Sequence, residues 1–550
     1  MSDPMTESAP AARSAHVDPF CRDHLPPRDQ WPLLRYDLLP RLDYPDRLNC
    51  AVELLDAQVA NGLGRRPVFH TAAGTWTYGE LLAASNRIAH ALVEELGVVP
   101  GARVLLRGPN TPLQVACWFA VLKAGAVAVC TMPLLRAREV AYVAEKARVS
   151  LALCDARCLD DCAAGFAGRE GARTVTFGGD GGEGSLEALM RGKPATFDAV
   201  DTAADDVALI AFTSGTTGQG KGTMHFHRDV LAVCDCFPPH LLGLRPDDVC
   251  AGTPPIAFTF GLGGLVLFPM RAGASAVLLE QGSPALLLDA VERFRATATF
   301  TAPTAYRAMA GLLAGRDVSS LRLCVSAGEA LPKATSEAWQ AATGLRIVDG
   351  IGATEMLHIF ISAAGDDVRP GSTGKVVPGY EARVVDDDMA EVPRGTVGRL
   401  AVRGPTGCRY LDDAERQRGY VRDGWNLTGD SYVQDADGYF WYQARTDDMI
   451  VSSGYNIAGP EVEAALMLHE AVQECAVVGL PDEERGQLVT AYVVCRAGVA
   501  ADEALAKALQ DHVKATIAPY KYPRRVVFVD QLPRTATGKL QRYRLREGDA

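Results

Sequence analysis

The chain has 550 residues, a formal net charge of −12 and 22% charged residues. A chain of this length is predicted to form two or more domains, because single hydrophobic cores stop growing at roughly 250–300 residues. The acidic balance argues against a protein whose main partner is nucleic acid or an anionic membrane, since both carry negative charge. Hydrophobic residues make up 48% of the chain, which is ordinary for a globular protein.

The first 30 residues are rich in Pro, Ala and charge, and they are predicted to form a loose leader. They contain no uninterrupted apolar segment, so no secretory signal is expected. The longest uncharged run, residues 249–270, contains three prolines and four glycines, which disfavours a membrane-spanning helix. These features predict a cytoplasmic protein.

Fourteen cysteines in a chain with no export signal are expected to be free thiols. Three of them, Cys154, Cys158 and Cys162, would share one face if their segment were helical. Zinc sites more often combine closer cysteine pairs with histidine, and no histidine is nearby. We therefore predict no metal site at this cluster.

From about residue 31 to residue 445, short β-like apolar runs alternate with helical patterns. A helix is expected over 111–125, and strands are expected over 102–108, 126–130, 207–213, 295–302, 321–328 and 344–352. Apolar strands that alternate with helices predict a large, multi-layered α/β domain with buried sheets.

The pattern changes near Arg445, so residues 446–550 are predicted to form a second, smaller and mobile α+β domain. A helix is expected over 461–470, and two strands are expected over 472–480 and 488–495. Apolar residues then recur every four positions between Leu505 and Ile517, as on the inner face of a helix.

The segment "TSGTTGQGKG", residues 213–222, follows an apolar run and combines hydroxyls, glycines and one lysine. It nearly satisfies the P-loop pattern GxxxxGK[ST], but Gly222 stands where the magnesium-binding hydroxyl should be. A P-loop also opens a helix at once, whereas helical character begins here only near His227. Exposed N–H groups, hydroxyls and Lys221 would still bind phosphate, so a different phosphate loop is the alternative.

The segment resembles the phosphate loop of the adenylate-forming superfamily, which includes acyl-CoA synthetases, luciferases and the adenylation domains of peptide synthetases. The usual pattern there is T-S-G-T-T-G-x-P-K-G, and this chain departs from it only at Gly220, which replaces proline. Further motifs of the superfamily follow in the expected order: "SAGEAL" (326–331), "DGIGATEM" (349–356), "WNLTGD" (425–430), "ARTDDMIVSSGYNI" (444–457) and "PRTATGKLQR" (533–542). The resemblance covers residues 45–545.

The resemblance implies roles for individual residues. Thr354 would meet the α-phosphate, Glu355 would help to hold Mg²⁺, and Lys539 would contact the reacting carboxylate. Asp447 would be the hinge on which the small domain turns. The other ATP-binding residues implied are Thr213, Ser214, Gly215, Thr216, Thr217, Lys221, Gly328, Glu329, Asp349, Gly350, Asp430 and Arg445. The path of the CoA pantetheine arm would be lined by Ser453, Gly454 and Tyr455.

The acyl pocket is expected in "PPIAFTFGLGG" (254–264), with "MLHIF" (356–360) opposite. Amino-acid-activating relatives place an aspartate in the first stretch, whereas residues 249–270 of this chain carry no charge. The phenylalanine rings suit stacking on an aromatic acid, although they could also be ordinary core residues. The residues expected to line the pocket are Ala257, Phe258, Phe260, Gly261, Gly352, His358 and Ile359.

In these motifs the chain looks most like benzoate-CoA and 2-aminobenzoate-CoA ligases. The expected reaction uses ATP, Mg²⁺ and coenzyme A to convert an aromatic acid into an acyl-adenylate and then a thioester, with release of AMP and pyrophosphate. Three alternatives stay open: an adenylation enzyme that loads an aryl or fatty acid onto a free-standing carrier protein, a binding protein on an inactive ligase scaffold, and a P-loop NTPase releasing ADP. The ring substituents of the acid and a homodimeric state are also left open. His225 and His227 match no motif and are predicted to be structural.

Overall fold

The computed structural model describes residues 13–213, 220–445, 448–452, 455–482, 485–517, 519–535, 538 and 540–547. Within these ranges the strands are β1 Pro67–Thr71, β2 Gly74–Thr77, β3 Arg103–Arg107, β4 Val127–Thr131, β5 Leu151–Asp155, β6 Arg173–Phe177, β7 Val207–Phe212, β8 Gly222–Phe226, β9 Val249–Gly252, β10 Ser275–Val277, β11 Ala298–Thr301, β12 Leu323–Ala327, β13 Ile347–Gly352, β14 Ile359–Ser362, β15 Lys375–Val376, β16 Glu381–Val385, β17 Val397–Arg403, β18 Val421–Arg422, β19 Trp425–Gln434, β20 Phe440–Arg445, β21 Ile450–Ser452, β22 Tyr455–Ile457, β23 Val472–Asp482, β24 Gly486–Cys495 and β25 Arg525–Phe528.

The α-helices of the same ranges are α1 Phe20–Asp23, α2 Ala57–Ala60, α3 Tyr78–His90, α4 Pro112–Lys123, α5 Ala137–Lys146, α6 Leu159–Phe166, α7 Leu186–Met190, α8 His227–Phe237, α9 Thr259–Leu262, α10 Phe268–Ala272, α11 Pro284–Phe294, α12 Pro303–Ala310, α13 Lys333–Thr343, α14 Ala414–Tyr420, α15 Gly459–Leu466, α16 Glu503–Thr516 and α17 Arg542–Glu547. The strands predicted from apolar runs coincide with β3, β4, β7, β11, β12 and β13, and the predicted helix over 111–125 is α4.

One sheet of the large domain has the order β6-β5-β3-β4-β7-β8 among the described residues. Its strands are parallel except for β8, which returns antiparallel to β7. Strands β3, β7 and β8 are buried along their whole length, as expected for a sheet covered on both faces. Helix α4 packs against β3 and β4 and is buried nearly all round, because its sequence is apolar on every face.

A second sheet has the order β15-β14-β13-β12-β11-β9-β10-β1-β2 in the described ranges. Its central strands, β10, β9, β11, β12 and β13, are parallel. The carboxyl ends of β9, β12 and β13 therefore meet at one edge of the sheet, where ligands bind in open α/β sheets. The turns that leave this edge begin at residues 253, 328 and 353 and carry three of the predicted motifs.

A third sheet pairs β16, β17, β19 and β18 in antiparallel order, and β20 adds to β19. The β19–β20 register sets Asp430 directly opposite Arg445. These two residues belong to different sequence motifs, so the sheet joins the motifs at one point.

The small domain is built on β22-β21-β24-β23, with β25 parallel to β24. Helices α15 and α16 cover this sheet, and Val462, Leu466, Leu509 and Val513 are buried in a hydrophobic core of its own. A separate core is what defines an independent structural unit, so the predicted second α+β domain is confirmed as a fold element. Of the four residues between β20 and β21, residues 446 and 447 lie outside the described ranges.

The expectation of a loose leader is wrong for residues 13–30. The Ser14 hydroxyl donates to Asp206 at 2.5 Å, and the Ala15 N–H donates to the same carboxylate at 2.9 Å. Phe20 and Cys21 are buried against the six-stranded sheet, and the Arg103 guanidinium lies 4.4 Å from the Phe20 ring. A few well-placed anchors order the segment, which average composition does not reveal; residues 1–12 lie outside the described ranges.

The cysteine cluster is also arranged differently from the helical expectation. Cys154 lies on β5, Cys158 ends a 3₁₀ turn and Cys162 lies on α6, so one helix face does not carry all three. The fourteen cysteines are free thiols. Across the described ranges, no cluster of three His, Cys, Asp or Glu side chains is arranged to hold a metal ion. In the same part of the chain, none of the helices combines the length and apolarity that crossing a bilayer would require.

Candidate active site

The predicted phosphate loop connects the two strands of a hairpin. The Thr213 N–H donates to the Lys221 carbonyl at 2.9 Å, and the Lys221 N–H donates to the Thr213 hydroxyl at 3.1 Å. A P-loop instead joins a strand to a helix, and here α8 starts only at His227, after β8. The hairpin excludes the P-loop alternative. Gly220 closes the loop tightly, because a Cβ there would lie 2.7 Å from the Thr213 carbonyl oxygen.

Beside this hairpin lies the buried side chain of Glu355. The Tyr410 hydroxyl donates to Oε1 of Glu355 at 2.5 Å, and both residues are buried. Burial and the Glu355 carboxylate both raise the pKa of Tyr410, so its hydroxyl remains a proton donor. The ammonium of Lys221 lies 5.5 Å from the Tyr410 ring centroid. One tyrosine thus contacts both the lysine of the phosphate loop and the predicted metal ligand.

A second buried contact holds the backbone of the same turn. Thr354 and Glu355 lie in a 3₁₀ turn, Thr354–Met356. His225 on β8 is fully buried, and its Nε2 lies 2.8 Å from the Thr354 carbonyl oxygen. A carbonyl can only accept, so Nε2 carries the proton of this hydrogen bond. Nδ1 of His225 faces the carboxylate of Asp229 at 3.8 Å.

The Asp229 carboxylate is also paired with the buried guanidinium of Arg409. Burial acts to raise the pKa of Asp229, but Arg409 and His225 outweigh it and hold that pKa below its usual range. The Met224 N–H donates to the Arg409 carbonyl at 2.8 Å, so the residue before Tyr410 is fastened to β8. The phosphate hairpin and the Thr354–Glu355 turn are therefore built on one buried polar network.

The predicted nucleotide residues of the second sheet lie together at its carboxyl edge. The β12–β13 register pairs Ala327 with Gly350, so Gly328 and Glu329 leave the sheet beside them. Gly328 has φ of +93°, which favours glycine at that turn. Asp349 is partly buried on β13, and burial raises its pKa to about 7. One of its carboxylate oxygens has no hydrogen-bond partner in the described part of the protein.

Asp430 and Arg445 form a pair across two strands. Nη1 of Arg445 lies 3.2 Å from Oδ1 of Asp430 and donates to the Thr428 carbonyl at 3.1 Å. A Cβ on Gly429 would lie 2.7 Å from Nη2 of Arg445, so a side chain there would displace the guanidinium, and the φ of +77° also favours glycine. A carboxylate and a guanidinium side by side can accept hydrogen bonds from sugar hydroxyls and donate to phosphate oxygens.

Three phenylalanine rings surround His358, one of the predicted acyl-pocket residues, and one of the three, Phe260, was predicted with it. The ring centroid of His358 lies 4.4 Å from the ring centroid of Phe268, 5.8 Å from that of Phe260 and 5.9 Å from that of Phe237. Burial lowers the pKa of His358 to about 3, so this ring is neutral near pH 7.

Three glycines allow close packing at and near His358. A Cβ on Gly263 would lie 2.3 Å from Cδ2 of His358, and one on Gly352 would lie 2.8 Å from the His358 carbonyl oxygen. A Cβ on Gly261 would likewise lie 2.2 Å from the Pro255 carbonyl oxygen. Ile359 is buried, whereas Ala257, Phe258 and Phe260 are only partly buried and so are not closed inside the core.

Several predicted residues lie outside the described ranges: Ser214, Gly215, Thr216, Thr217, Asp447, Ser453, Gly454 and Lys539. For Tyr455 the backbone is described as the first residue of β22. The flanks of Lys539 are described, since Gly538 and Leu540 precede and follow it.

Tyr410 and the His225 contact were not found by sequence reasoning. Tyr410 lies in "CRYL" between β17 and α14, in a segment to which no motif was assigned. The sequence predicts a structural role for both His225 and His227. His227 is buried, its pKa is lowered to about 3 by burial, and its Nδ1 accepts from the Cys50 N–H at 3.2 Å.

The chain matches the family described as "AMP-binding enzyme" over residues 55–410 and the family described as "AMP-binding enzyme C-terminal domain" over residues 461–539. The first match alone covers more than half of the chain. The protein therefore belongs to the AMP-binding, adenylate-forming enzyme family.

Several proteins similar to this chain are named as CoA ligases of aromatic acids. The benzoate–CoA ligase of Thauera aromatica is 38% identical over 518 residues, which are 92% of this chain and 97% of that protein. The 3-hydroxybenzoate–CoA ligase of Aromatoleum sp. (strain CIB) is 35% identical over 509 residues, with 91% and 97% covered. A solved anthranilate CoA ligase in complex with anthranoyl-AMP superposes with a TM-score of 0.88 at 36% identity, and covers 93% of this chain and 99% of that one.

Proposed function

We propose that the protein is an AMP-forming acid–thiol ligase that activates an aromatic carboxylic acid of the benzoate or 2-aminobenzoate type and transfers it to coenzyme A. The observation that carries the proposal is the cluster of uncharged rings around His358, which includes Phe260 and follows the Thr354–Glu355 turn in the chain. The similar proteins are named as CoA ligases, so a carrier protein is not favoured as the acyl acceptor.

In the first half-reaction, a carboxylate oxygen of the acid attacks the α-phosphorus of ATP. The new bond is carboxylate oxygen to phosphorus; the bond from the α-phosphorus to the bridging oxygen breaks, and pyrophosphate leaves with that electron pair. Two anions approach each other in this step, so positive charge and N–H groups must be in place beforehand. Lys221 and the hairpin backbone would serve the phosphates, Thr354 the α-phosphate, and Lys539 the carboxylate.

The residues present fit a Mg²⁺ ion bound mainly through ATP. Such an ion usually keeps several waters and takes one or two carboxylates together with phosphate oxygens. Glu355 supplies one carboxylate, whose Oε1 accepts the Tyr410 hydrogen bond. When bound, Mg²⁺ would neutralise phosphate charge. The chain's own contribution is the fixed orientation of Glu355.

The nucleoside would lie between the second and third sheets. Asp430 would accept hydrogen bonds from the ribose hydroxyls, and Arg445 would hold Asp430 in place while reaching ribose or phosphate. Gly328, Glu329, Asp349 and Gly350 would surround the adenine. One carboxylate oxygen of Asp349 has no partner within the described ranges, which suits an amino group. The paired Asp430 and Arg445 support this assignment.

The acid would lie against the Phe260 and His358 rings. A neutral His358 adds a flat ring but no charge, so the ammonium of an amino acid would find no carboxylate on this side. Aromatic rings stack or meet edge to face at centroid distances of about 4.5–7 Å, the spacing already present among these side chains. An aromatic ring therefore suits this wall better than a flexible polar chain.

In the second half-reaction, the CoA thiolate attacks the acyl carbon of the adenylate. The new bond is carbon to sulfur; the carbon–oxygen bond to AMP breaks, AMP leaves with that pair, and the thiol proton goes to solvent. We propose that the small domain turns at Asp447 between the two steps. Ser453, Gly454 and Tyr455 would then line the pantetheine path, where a glycine leaves room for the arm.

The proposal is tested with a panel of benzoate, 2-aminobenzoate, hydroxybenzoates, cinnamate and octanoate, each with ATP, Mg²⁺ and CoA. AMP, pyrophosphate and the acyl-CoA are quantified for each acid. We expect aryl-CoA to form at the highest kcat/KM with benzoate or 2-aminobenzoate. A preference for octanoate would contradict the aromatic assignment and leave the ligase chemistry intact.

A further inference from the structure

One arginine of the terminal segment contacts both domains. Nη1 of Arg534 lies 3.8 Å from Oε1 of Glu329, in the turn after β12 of the large domain. Nη2 of Arg534 contacts Glu474, which lies on β23 of the small domain. Nη1 also donates to the Gly538 carbonyl at 2.6 Å. A single guanidinium therefore joins the proposed adenine turn, the small sheet and the residue that precedes Lys539.

Arg534 also lies at the base of a turn in the backbone. Residues Arg534 and Leu540 form an antiparallel bridge, and the Gly538 N–H donates to the Thr535 carbonyl at 2.9 Å. Gly538 has φ of +86°, which favours glycine there. Gly538 and Leu540 flank Lys539 in the chain, so the placement of both flanks depends on the base that Arg534 holds.

Glu329 offsets the effect that two nearby arginines have on the charge of Arg534. Burial lowers the pKa of Arg534, Glu329 opposes that effect, and the nearby Arg307 and Arg542 reinforce it. Arg542 is itself paired with Glu463 at 2.7 Å, within the small domain. Arg307 belongs to α12 of the large domain, so Arg534 would meet repulsion at this boundary without an acid from the same side. Glu329 is that acid.

We propose that Arg534 is a positioning residue that docks the terminal segment on the large domain for adenylate formation, through its ion pair with Glu329. The inference rests on the proposed function, in which Lys539 of the same segment acts only while carboxylate and α-phosphate react. The contacts of Arg534 with Glu474 and Gly538 lie inside the small domain and move with it. The contact with Glu329 crosses between domains and must break when the small domain turns for thioester formation.

The test compares the two half-reactions in Glu329→Gln, Arg534→Gln and the double variant. Adenylate formation is followed as benzoate-dependent pyrophosphate release, and thioester formation is followed from synthetic benzoyl-adenylate and CoA. We expect each single variant to slow adenylate formation by about tenfold, because the pair is only partly shielded from solvent. Thioester formation should stay within about twofold of wild type in Arg534→Gln, and in Glu329→Gln it should fall less than adenylate formation does.

The double variant separates a docking role from a direct effect of Glu329 on ATP. If the two side chains act through their mutual contact, the double variant is no slower than the slower single variant. A direct ATP contact of Glu329 would instead add its loss to that of Arg534→Gln. Arg316→Gln is the matched control, since Arg316 is as exposed as Arg534, at 30%, and pairs with Asp289 inside the large domain. It should leave both half-reactions unchanged.

Equal loss of both half-reactions in Glu329→Gln would overturn the proposal, as would additive losses in the double variant. Glu329→Gln carries the test even if Arg534→Gln destabilises the small domain, because Glu329 lies in the other domain. A wild-type protein that makes no acyl-CoA from any acid of the panel would refute the proposed function itself. That result is seen before any variant is compared.

Discussion

Replacing Tyr410 with phenylalanine removes one hydroxyl from beneath the Thr354–Glu355 turn and leaves the ring that faces Lys221. The lost hydrogen bond, 2.5 Å long, has a carboxylate as its acceptor, and both residues are buried. Hydrogen bonds to charged groups contribute roughly 1.5–3 kcal/mol, and a buried acceptor left without its donor costs a similar amount. If that energy is used to orient Glu355, adenylate formation should fall by roughly 10- to 150-fold.

The assay measures pyrophosphate release with saturating benzoate while the Mg²⁺ concentration is varied. Tyr410→Phe should need more Mg²⁺ for half-maximal rate, because the free carboxylate adopts several orientations. Thioester formation from supplied benzoyl-adenylate should be unchanged. Tyr78→Phe is the control: Tyr78 is equally buried, and its hydroxyl donates at 2.7 Å to the Ala274 carbonyl, far from the site. Unchanged Mg²⁺ dependence in Tyr410→Phe would refute the orienting role.

Three further predictions follow from the site. The pKa of Asp349 is raised from 3.8 to about 7 in the folded protein, so its contribution to the free energy of unfolding should fall as pH rises from about 4 to 7. That contribution is worth up to roughly 4 kcal/mol, and Asp349→Asn should lose the pH dependence in denaturant titrations. Gly263→Ala places a Cβ 2.3 Å from the His358 ring, so it should lower stability by about 1–3 kcal/mol and raise the KM for benzoate but not for ATP; equal KM changes would argue against the pocket. Lys539→Ala should slow adenylate formation, measured as pyrophosphate release, by about 10²-fold or more and leave thioester formation unchanged. Asp447→Pro should slow thioester formation from supplied adenylate and leave adenylate formation unchanged.

The strands, the helices and the order of the motifs could be predicted because they depend on local patterns. Gly222 in place of a hydroxyl residue and the late start of α8 at His227 argue against a P-loop, and the hairpin confirms that interpretation. Asp430 and Arg445 were assigned to one nucleotide by resemblance, and the β19–β20 register shows why two separated motifs meet.

Long-range contacts could not be predicted in the same way. Tyr410 meets Glu355 because the segment after β17 fastens to β8, a pairing that no local pattern encodes. The His225 contact depends on the same packing. The N-terminal segment looked loose by composition, yet Ser14 and Phe20 are enough to fasten it to the large domain.

The central claim, that the acid is activated by attack of its carboxylate on the α-phosphorus of ATP, is tested most directly with benzoate labelled with ¹⁸O in both carboxylate oxygens. After reaction with ATP, Mg²⁺ and CoA, the phosphate-containing products are separated and analysed by mass spectrometry. The account predicts one ¹⁸O in AMP and none in pyrophosphate, because the oxygen that bonds to phosphorus stays with AMP when the thiol displaces it. Label in orthophosphate with ADP as the nucleotide product, or unlabelled AMP, would contradict it.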